Sequence, residues 1–148
     1  EATGYIIADA DSVVRKRRRF VPAPVGAPVP DGHPDADWAA TRFVRLRTSG
    51  DMSELDAHPQ TGRQHQIRAT LLALGFPVVG DKLYGHDPAI FLRFCNSAMT
   101  DDDHRRLRLG RQALHAAALR LRHPDTQRPF EVEAPLPPDL QALEAGMV

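Results

Sequence analysis

Cysteine is almost missing from this chain. Cys95 stands alone, so no disulfide can form within it, which fits a reducing compartment. No stretch approaches the roughly 18 consecutive apolar residues of a membrane span. Net charge is missing too: 19 Lys and Arg balance 19 Asp and Glu. The whole chain therefore makes no global case for nucleic-acid binding, and charge distribution has to make it. The first residues, Glu1-Ala2-Thr3-Gly4, carry no methionine and no signal-peptide pattern, so the start reads as a cut end. There is no Walker-type glycine loop and no Gly-x-Ser-x-Gly elbow. Histidines are present, but the spacings of His58 and His65, and of His115 and His123, fit no standard metal-ligand pattern. No metal site is expected.

What is present suits one soluble globular domain. The chain has 148 residues, too few for two comfortable domains, with 42% hydrophobic and 26% charged residues. Thirteen prolines call for many loops and turns. Gly4 to Ala8 reads as a short strand. An uninterrupted basic run follows: Arg15, Lys16, Arg17, Arg18, Arg19. On its own it reads as a solvated strand or turn face beside the loop that follows, since charge runs are common surfaces. Residues 21 to 37, rich in Pro, Gly and Asp, read as a loop. Residues 40–47 and 52–58, with turn residues Thr48-Ser49-Gly50-Asp51 between them, read as an antiparallel hairpin.

A helix is expected from Arg63 to Leu74, capped by Thr61 or Gly62 and stopped by Gly75 with Pro77 beyond. Ile67, Leu71 and Leu74 share one face, spaced for burial. Short helices are expected at 88–94 and 101–107, where Thr100 and three aspartates favour an N-terminus. Residues 113–122 are ambiguous between helix and strand. A strand, a turn at His123-Pro124-Asp125-Thr126 and a returning strand at 130–133 is the more economical reading. A terminal helix is expected at 139–145. Together these elements predict an α+β fold: a mixed, mainly antiparallel sheet with packed helices.

The densest polar cluster is His58-Pro-Gln-Thr-Gly-Arg-Gln-His-Gln-Ile-Arg68. Thr61 and Gly62 at a helix start would leave backbone N–H groups for an anion, with Arg63 adding charge. Arg68 follows Ile67 and so borders the buried face. An arginine so placed needs a carboxylate or phosphate partner, which its planar fork holds bidentately. Spacing alone leaves two readings open: a structural ion pair, or an arginine that orients a carboxylate at the floor of a cleft.

This cluster, followed by Leu74-Gly-Phe-Pro-Val-Val-Gly-Asp-Lys-Leu-Tyr-Gly85, resembles the signature of the RluA-like RNA pseudouridine synthases. That signature is a Pro-x-Thr-Gly-Arg-x-His-Gln-Ile-Arg helix leading into a Gly-Asp-x-x-Tyr-Gly turn. Arg111-Gln-Ala-Leu-His-Ala116, His123-Pro-Asp-Thr and Ala134-Pro-Leu-Pro-x-Asp139 continue the pattern in the right order. The resemblance implies that residues 1–148 are the C-terminal part of a pseudouridine synthase catalytic domain, with a loop-rich segment at about 21–37. It implies isomerisation of uridine to pseudouridine in ribosomal or transfer RNA, with the base flipped from its stack, and no cofactor.

In this family an aspartate does the covalent or acid–base work, a tyrosine stacks near the base, and an arginine pairs with the aspartate. Arg68 matches that arginine. Leu114 matches a pocket wall. Gly80, Asp81, Tyr84 and Gly85 match the turn motif, whose role is read as structural. With RNA as the substrate, Arg15, Lys16, Arg17, Arg18, Arg19, Thr61, Gly62, Arg63 and His65 become candidate RNA contacts.

The family's Arg-Leu-Asp-x-x-Thr-Ser-Gly motif lies upstream of everything here. Arg45-Leu46-Arg47-Thr48-Ser49-Gly50 shares its letters but has no aspartate after the leucine. Neither Asp56 nor Asp81 is expected to replace the nucleophile. Thr70 stands where many members carry a second histidine, and Tyr5 is not assigned the stacking role. The fragment is therefore expected to be inactive alone, the parent to be a cytoplasmic enzyme, monomeric and without a membrane anchor. A non-catalytic RNA-binding remnant is the alternative. A phosphate-binding enzyme using Thr61-Gly62-Arg63 ranks third. If upstream strands are missing, a sheet edge and some apolar surface should lie exposed.

Overall fold

A computed structural model describes residues 1–85 and 87–147. Four antiparallel strands form the main sheet: β1 (Ala2–Ala8), β2 (Arg18–Pro22), β3 (Asp37–Ser49) and β4 (Met52–Pro59), in the order β2-β1-β3-β4. The expected hairpin is β3–β4, paired from Thr41↔Pro59 to Ser49↔Met52 with an irregularity between Arg45 and Arg47. The strand β2 takes in the end of the basic run and the first two residues of the segment expected to be a loop. Only Phe20 turns its side chain fully into the core.

Period-two alternation decides which face is covered. Ala2, Gly4 and Ile6 of β1 lie beside Phe20 of β2 and Ala39 and Thr41 of β3. This face carries the core of Ile6, Phe20, Ala39, Ala69, Leu83 and Tyr84. On the other face Tyr5 meets Trp38 edge-on, with ring centroids 5.2 Å apart. The Tyr5 hydroxyl donates to the Ala27 carbonyl and so pins the proline-rich loop across the sheet.

The helix α1 (Gln66–Ala73) packs on the core face. It starts three residues later than expected. Neither Thr61 nor Gly62 caps it; His65 does so, with a left-handed backbone (φ 59°) and no side-chain cap. The buried face also differs. Gln66, Ala69, Thr70 and Leu71 are buried, whereas Leu74 is exposed. Gln66 explains the shift. Its amide nitrogen donates to the Ala40 carbonyl and to Thr41 Oγ1, while its oxygen accepts from Thr61 Oγ1 and the Arg63 N–H. A fully bonded buried amide can sit where apolar spacing alone would place a leucine.

Two short helices follow, α2 (Ala89–Cys95) and α3 (Asp101–Leu107). Thr100 and Asp103 form a reciprocal capping box at the start of α3. Arg93 grips the buried Asp103 with Nε and Nη2 and also reaches Asp87, clipping the two helices together. Residues 113–122 resolve toward the strand reading. β5 (Ala118–Arg122) pairs with β6 (Pro129–Glu133), and α4 (Pro138–Ala145) closes the chain.

The β5–β6 ribbon is exposed along its whole length. The cross-strand pairs Leu119↔Val132 and Leu121↔Phe130 present one bare apolar face, while Arg120 and Glu131 pair on the opposite face. This is the expected exposed apolar surface. A two-stranded ribbon is marginally stable by itself.

Candidate active site

The Gly80 to Gly85 turn lies directly against α1. Gly80 has φ +74° and sits against the backbone of Arg111, and the Ala113 N–H donates to the Val79 carbonyl at 2.7 Å. These contacts hold the turn in place from behind. Asp81 then points toward α1. Its Oδ1 accepts the N–H groups of Leu83 (3.0 Å) and Tyr84 (2.9 Å).

Arg68 meets Asp81 side-on. Nε donates to Oδ2 at 2.6 Å and Nη2 to Oδ1 at 2.8 Å. The Asp81 side chain has no exposure and that of Arg68 16%. Burial works to raise the Asp81 pKa, but the Arg68 hydrogen bonds and charge and the two backbone N–H groups outweigh it. They hold the carboxyl below its usual range. The Arg68 guanidinium lies over the Tyr84 ring, 4.8 Å from its centroid.

Tyr84 is the fully buried centre of the cluster. Its hydroxyl accepts the Arg18 backbone N–H at 2.8 Å and lies 2.9 Å from His65 Nδ1. With the Arg18 N–H filling one acceptor position, the phenol hydrogen is free to point at Nδ1, an arrangement open to the tautomer that carries its proton on Nε2. Burial, helped by the charges of Arg68 and Arg18 and opposed by Asp81, pushes the His65 pKa below its usual 6.5. Its sign follows directly. The unfolded chain takes up this proton more readily, so His65 favours the fold fully above about pH 6.5, and that contribution is lost as pH falls. His65→Gln should flatten the stability profile just below pH 6.5 in urea titrations. An unchanged profile would remove His65 from the buried network.

The other predicted residues divide by location. Arg18 joins the cluster; its Nε donates to Gln64 Oε1, and its backbone holds Tyr84. Arg17 stands 5.7 Å from the Tyr84 centroid but is ion-paired with Asp9 at 2.9 Å. Arg19 faces Asp11 at 3.5 Å, whereas Arg15 and Lys16 are exposed with no ion-pair partner among the described residues. Thr61 and Arg63 serve the sheet: Thr61 Oγ1 accepts from the Ala40 N–H, and Arg63 Nε donates to the Trp38 carbonyl. The Arg63 N–H, expected to await an anion, is taken by Gln66. Gly62 is exposed. Leu114 is half-buried on the segment behind the turn, with its N–H on the Gln112 carbonyl.

A cleft of about 500 Å³ opens beside Arg18 and Gln64, bounded opposite by His33, Asp35 and Asp37. Sequence reasoning missed Asp81 as the partner of Arg68 and Tyr84 as the hub. The signal lay in the turn motif itself. An aspartate two and three residues before free N–H groups caps its own turn, and an arginine on the facing helix can complete it.

No protein-family model matches the chain. Curated relatives do. An uncharacterized RNA pseudouridine synthase of Chloroflexus aurantiacus is 42% identical over 141 residues, covering 95% of this chain and 36% of that protein. The uncharacterized RNA pseudouridine synthase YjbO of Bacillus subtilis is 36% identical, covering 76% and 34%. The ribosomal large subunit pseudouridine synthase D of Haemophilus influenzae is 37% identical, covering 76% and 35%. The solved structure of human RNA pseudouridylate synthase domain containing 1 superposes with a TM-score of 0.64 at 27% identity, over 95% of this chain and half of that one. The chain thus spans about a third of the length of the curated relatives it matches. In sequence and in fold, it belongs to the family of RNA pseudouridine synthases.

Proposed function

We propose that this chain is the C-terminal part of a catalytic domain that isomerises uridine to pseudouridine in RNA. Ribosomal RNA is the favoured substrate and transfer RNA the second. The reaction breaks the bond from C1′ to N1 and forms one from C1′ to C5, so the hydrogen on C5 leaves as a proton. The reacting aspartate belongs to an upstream segment of the parent protein, and the chain as given is inactive without it. The observation that carries the reading is Arg68. Its side chain is mostly buried and held by Asp81 and Tyr84, yet among the described residues Nη1 has no hydrogen-bond partner. That edge of the guanidinium is ready for a carboxylate or a phosphate.

One support is independent of Arg68. The relatives that cover this chain carry names of RNA pseudouridine synthases, one of them acting on the large ribosomal subunit. No described helix is long and apolar enough to cross a membrane. RNA reaches the site past the basic run. Arg17 and Arg19 already face Asp9 and Asp11, so Arg15 and Lys16 carry most of the phosphate contact.

Replacing both by serine should reduce the salt slope of RNA affinity by about 2, since each phosphate contact contributes roughly one. An unchanged slope would reject this approach path. Pseudouridine formation by the parent, read by mass spectrometry of the RNA, separates the enzyme from a binding remnant. The remnant would keep the salt slope and leave the uridine unmodified.

A further inference from the structure

We infer that Asp81 is a positioning residue, which commits the Arg68 guanidinium to its end-on edge for an incoming acidic group. The inference rests on the reading of Arg68 given above. A guanidinium has five N–H donors and offers two useful edges, one formed by Nε with one terminal nitrogen, the other by the two terminal nitrogens. Asp81 occupies the first edge completely, with contacts of 2.6 and 2.8 Å. Three N–H groups remain, two on Nη1 and one on Nη2. They define the end-on edge, whose spacing suits a carboxylate or phosphate bidentately.

The clamp is rigid for reasons found in the fold. Asp81 Oδ1 is already fixed by the N–H groups of Leu83 and Tyr84. Behind it, Gly80 abuts the Arg111 carbonyl, so the turn cannot retreat. The guanidinium plane is set by the Tyr84 ring. That ring is itself tied at its hydroxyl to the Arg18 backbone and His65. The pair also has a chemical effect. Arg68 and Asp81 together are neutral, so the site selects its partner by geometry more than by charge.

The test uses Asp81→Asn in the full-length parent protein. Asparagine keeps an oxygen for the Leu83 and Tyr84 N–H groups, so the turn survives. Its amide nitrogen then faces Arg68 Nε, donor to donor, so the guanidinium loses its Nε bond and keeps only the single Nη2 bond, about which it can turn. The expected result is a fall in kcat of about 100-fold, the cost of roughly an ångström of misplacement. KM should stay within about 3-fold, with a wild-type circular-dichroism spectrum. Wild-type kcat in the variant, with the wild-type enzyme active, would overturn the inference and leave the proposed function standing. An inactive wild-type parent would instead overturn the proposed function.

A second measurement needs no variant. With 15N-labelled arginine in the wild-type parent, the Arg68 Nε–H resonance should keep its position when uridine-containing RNA is added, while its Nη resonances move. Displacement of the Nε–H signal would mean that Arg68 leaves Asp81 to grip its partner, contrary to the inference.

Discussion

Arg68→Met in the full-length parent should abolish pseudouridine formation, with a loss of about 10³-fold, the upper range for removing one preorganised donor. It should also destabilise the fold by about 3 kcal/mol, because removing one member of a buried pair strands the other charge. The low end of that range applies, since Asp81 keeps its bonds from Leu83 and Tyr84. The two effects are separable. Arg68→Met with Asp81→Asn removes the stranded charge, so it should regain much of the stability while remaining inactive. For a domain of this size, about 3 kcal/mol corresponds to a Tm shift of roughly 10 °C. A Tm within 2 °C of wild type for Arg68→Met would show that the pair is solvated and that Asp81 is no clamp.

Gly80→Ala should be at least as destabilising, for a different reason. The backbone at Gly80 has φ +74°, where an L side chain costs about 1–2 kcal/mol. A Cβ there would also stand 2.0 Å from the Arg111 carbonyl oxygen and 3.0 Å from that of Leu109. Neither atom belongs to a flexible side chain, so the backbone must move. Movement threatens the Ala113 to Val79 hydrogen bond and the placement of Asp81. A total loss of about 3–4 kcal/mol is expected in urea denaturation, within the range of overpacked and strained sites. Gly75 supplies the control. It also has positive φ, but nothing lies within 4 Å of its absent Cβ, so Gly75→Ala should cost only the conformational term. Equal losses at both positions would mean that the turn is not packed against residues 109–111.

The two glycines also illustrate what was legible in the sequence. Gly75 announced a helix stop through local punctuation alone, and it stands just past the Leu74 C-cap of α1. Gly80 announced a turn, but its contact with Arg111 lies 31 positions along the chain, beyond any local pattern. The β3–β4 hairpin, α3 with its Thr100 cap, and the β5–β6 ribbon followed from alternation, turn residues and capping chemistry. β2 stays open between strand and turn, because a strand with one buried residue out of five reads as a charged surface. The start of α1 was misplaced because Thr61-Gly62 carries a strong cap signal. Thr61 instead spends its hydroxyl on the sheet and on Gln66.

At the site, Arg68 was legible as an arginine in need of an acidic partner. That partner was expected upstream, while Asp81 was assigned to the turn alone. Both roles fit in one carboxylate, since Oδ1 serves the turn and the two oxygens together hold Arg68. The positive run at 15–19 was legible as a charge cluster, but its partial neutralisation by Asp9 and Asp11 depends on how the β1–β2 connection folds back.

Because forming the new carbon–carbon bond expels the hydrogen from C5 of uracil, RNA tritiated at that carbon reports the reaction directly. The full-length parent should release tritium into water, and both the 148-residue chain alone and the Arg68→Met parent should release none above background. Tritium release by the isolated chain would show that it already contains the reacting group. Undiminished release by the Arg68→Met parent would take Arg68 out of the active site.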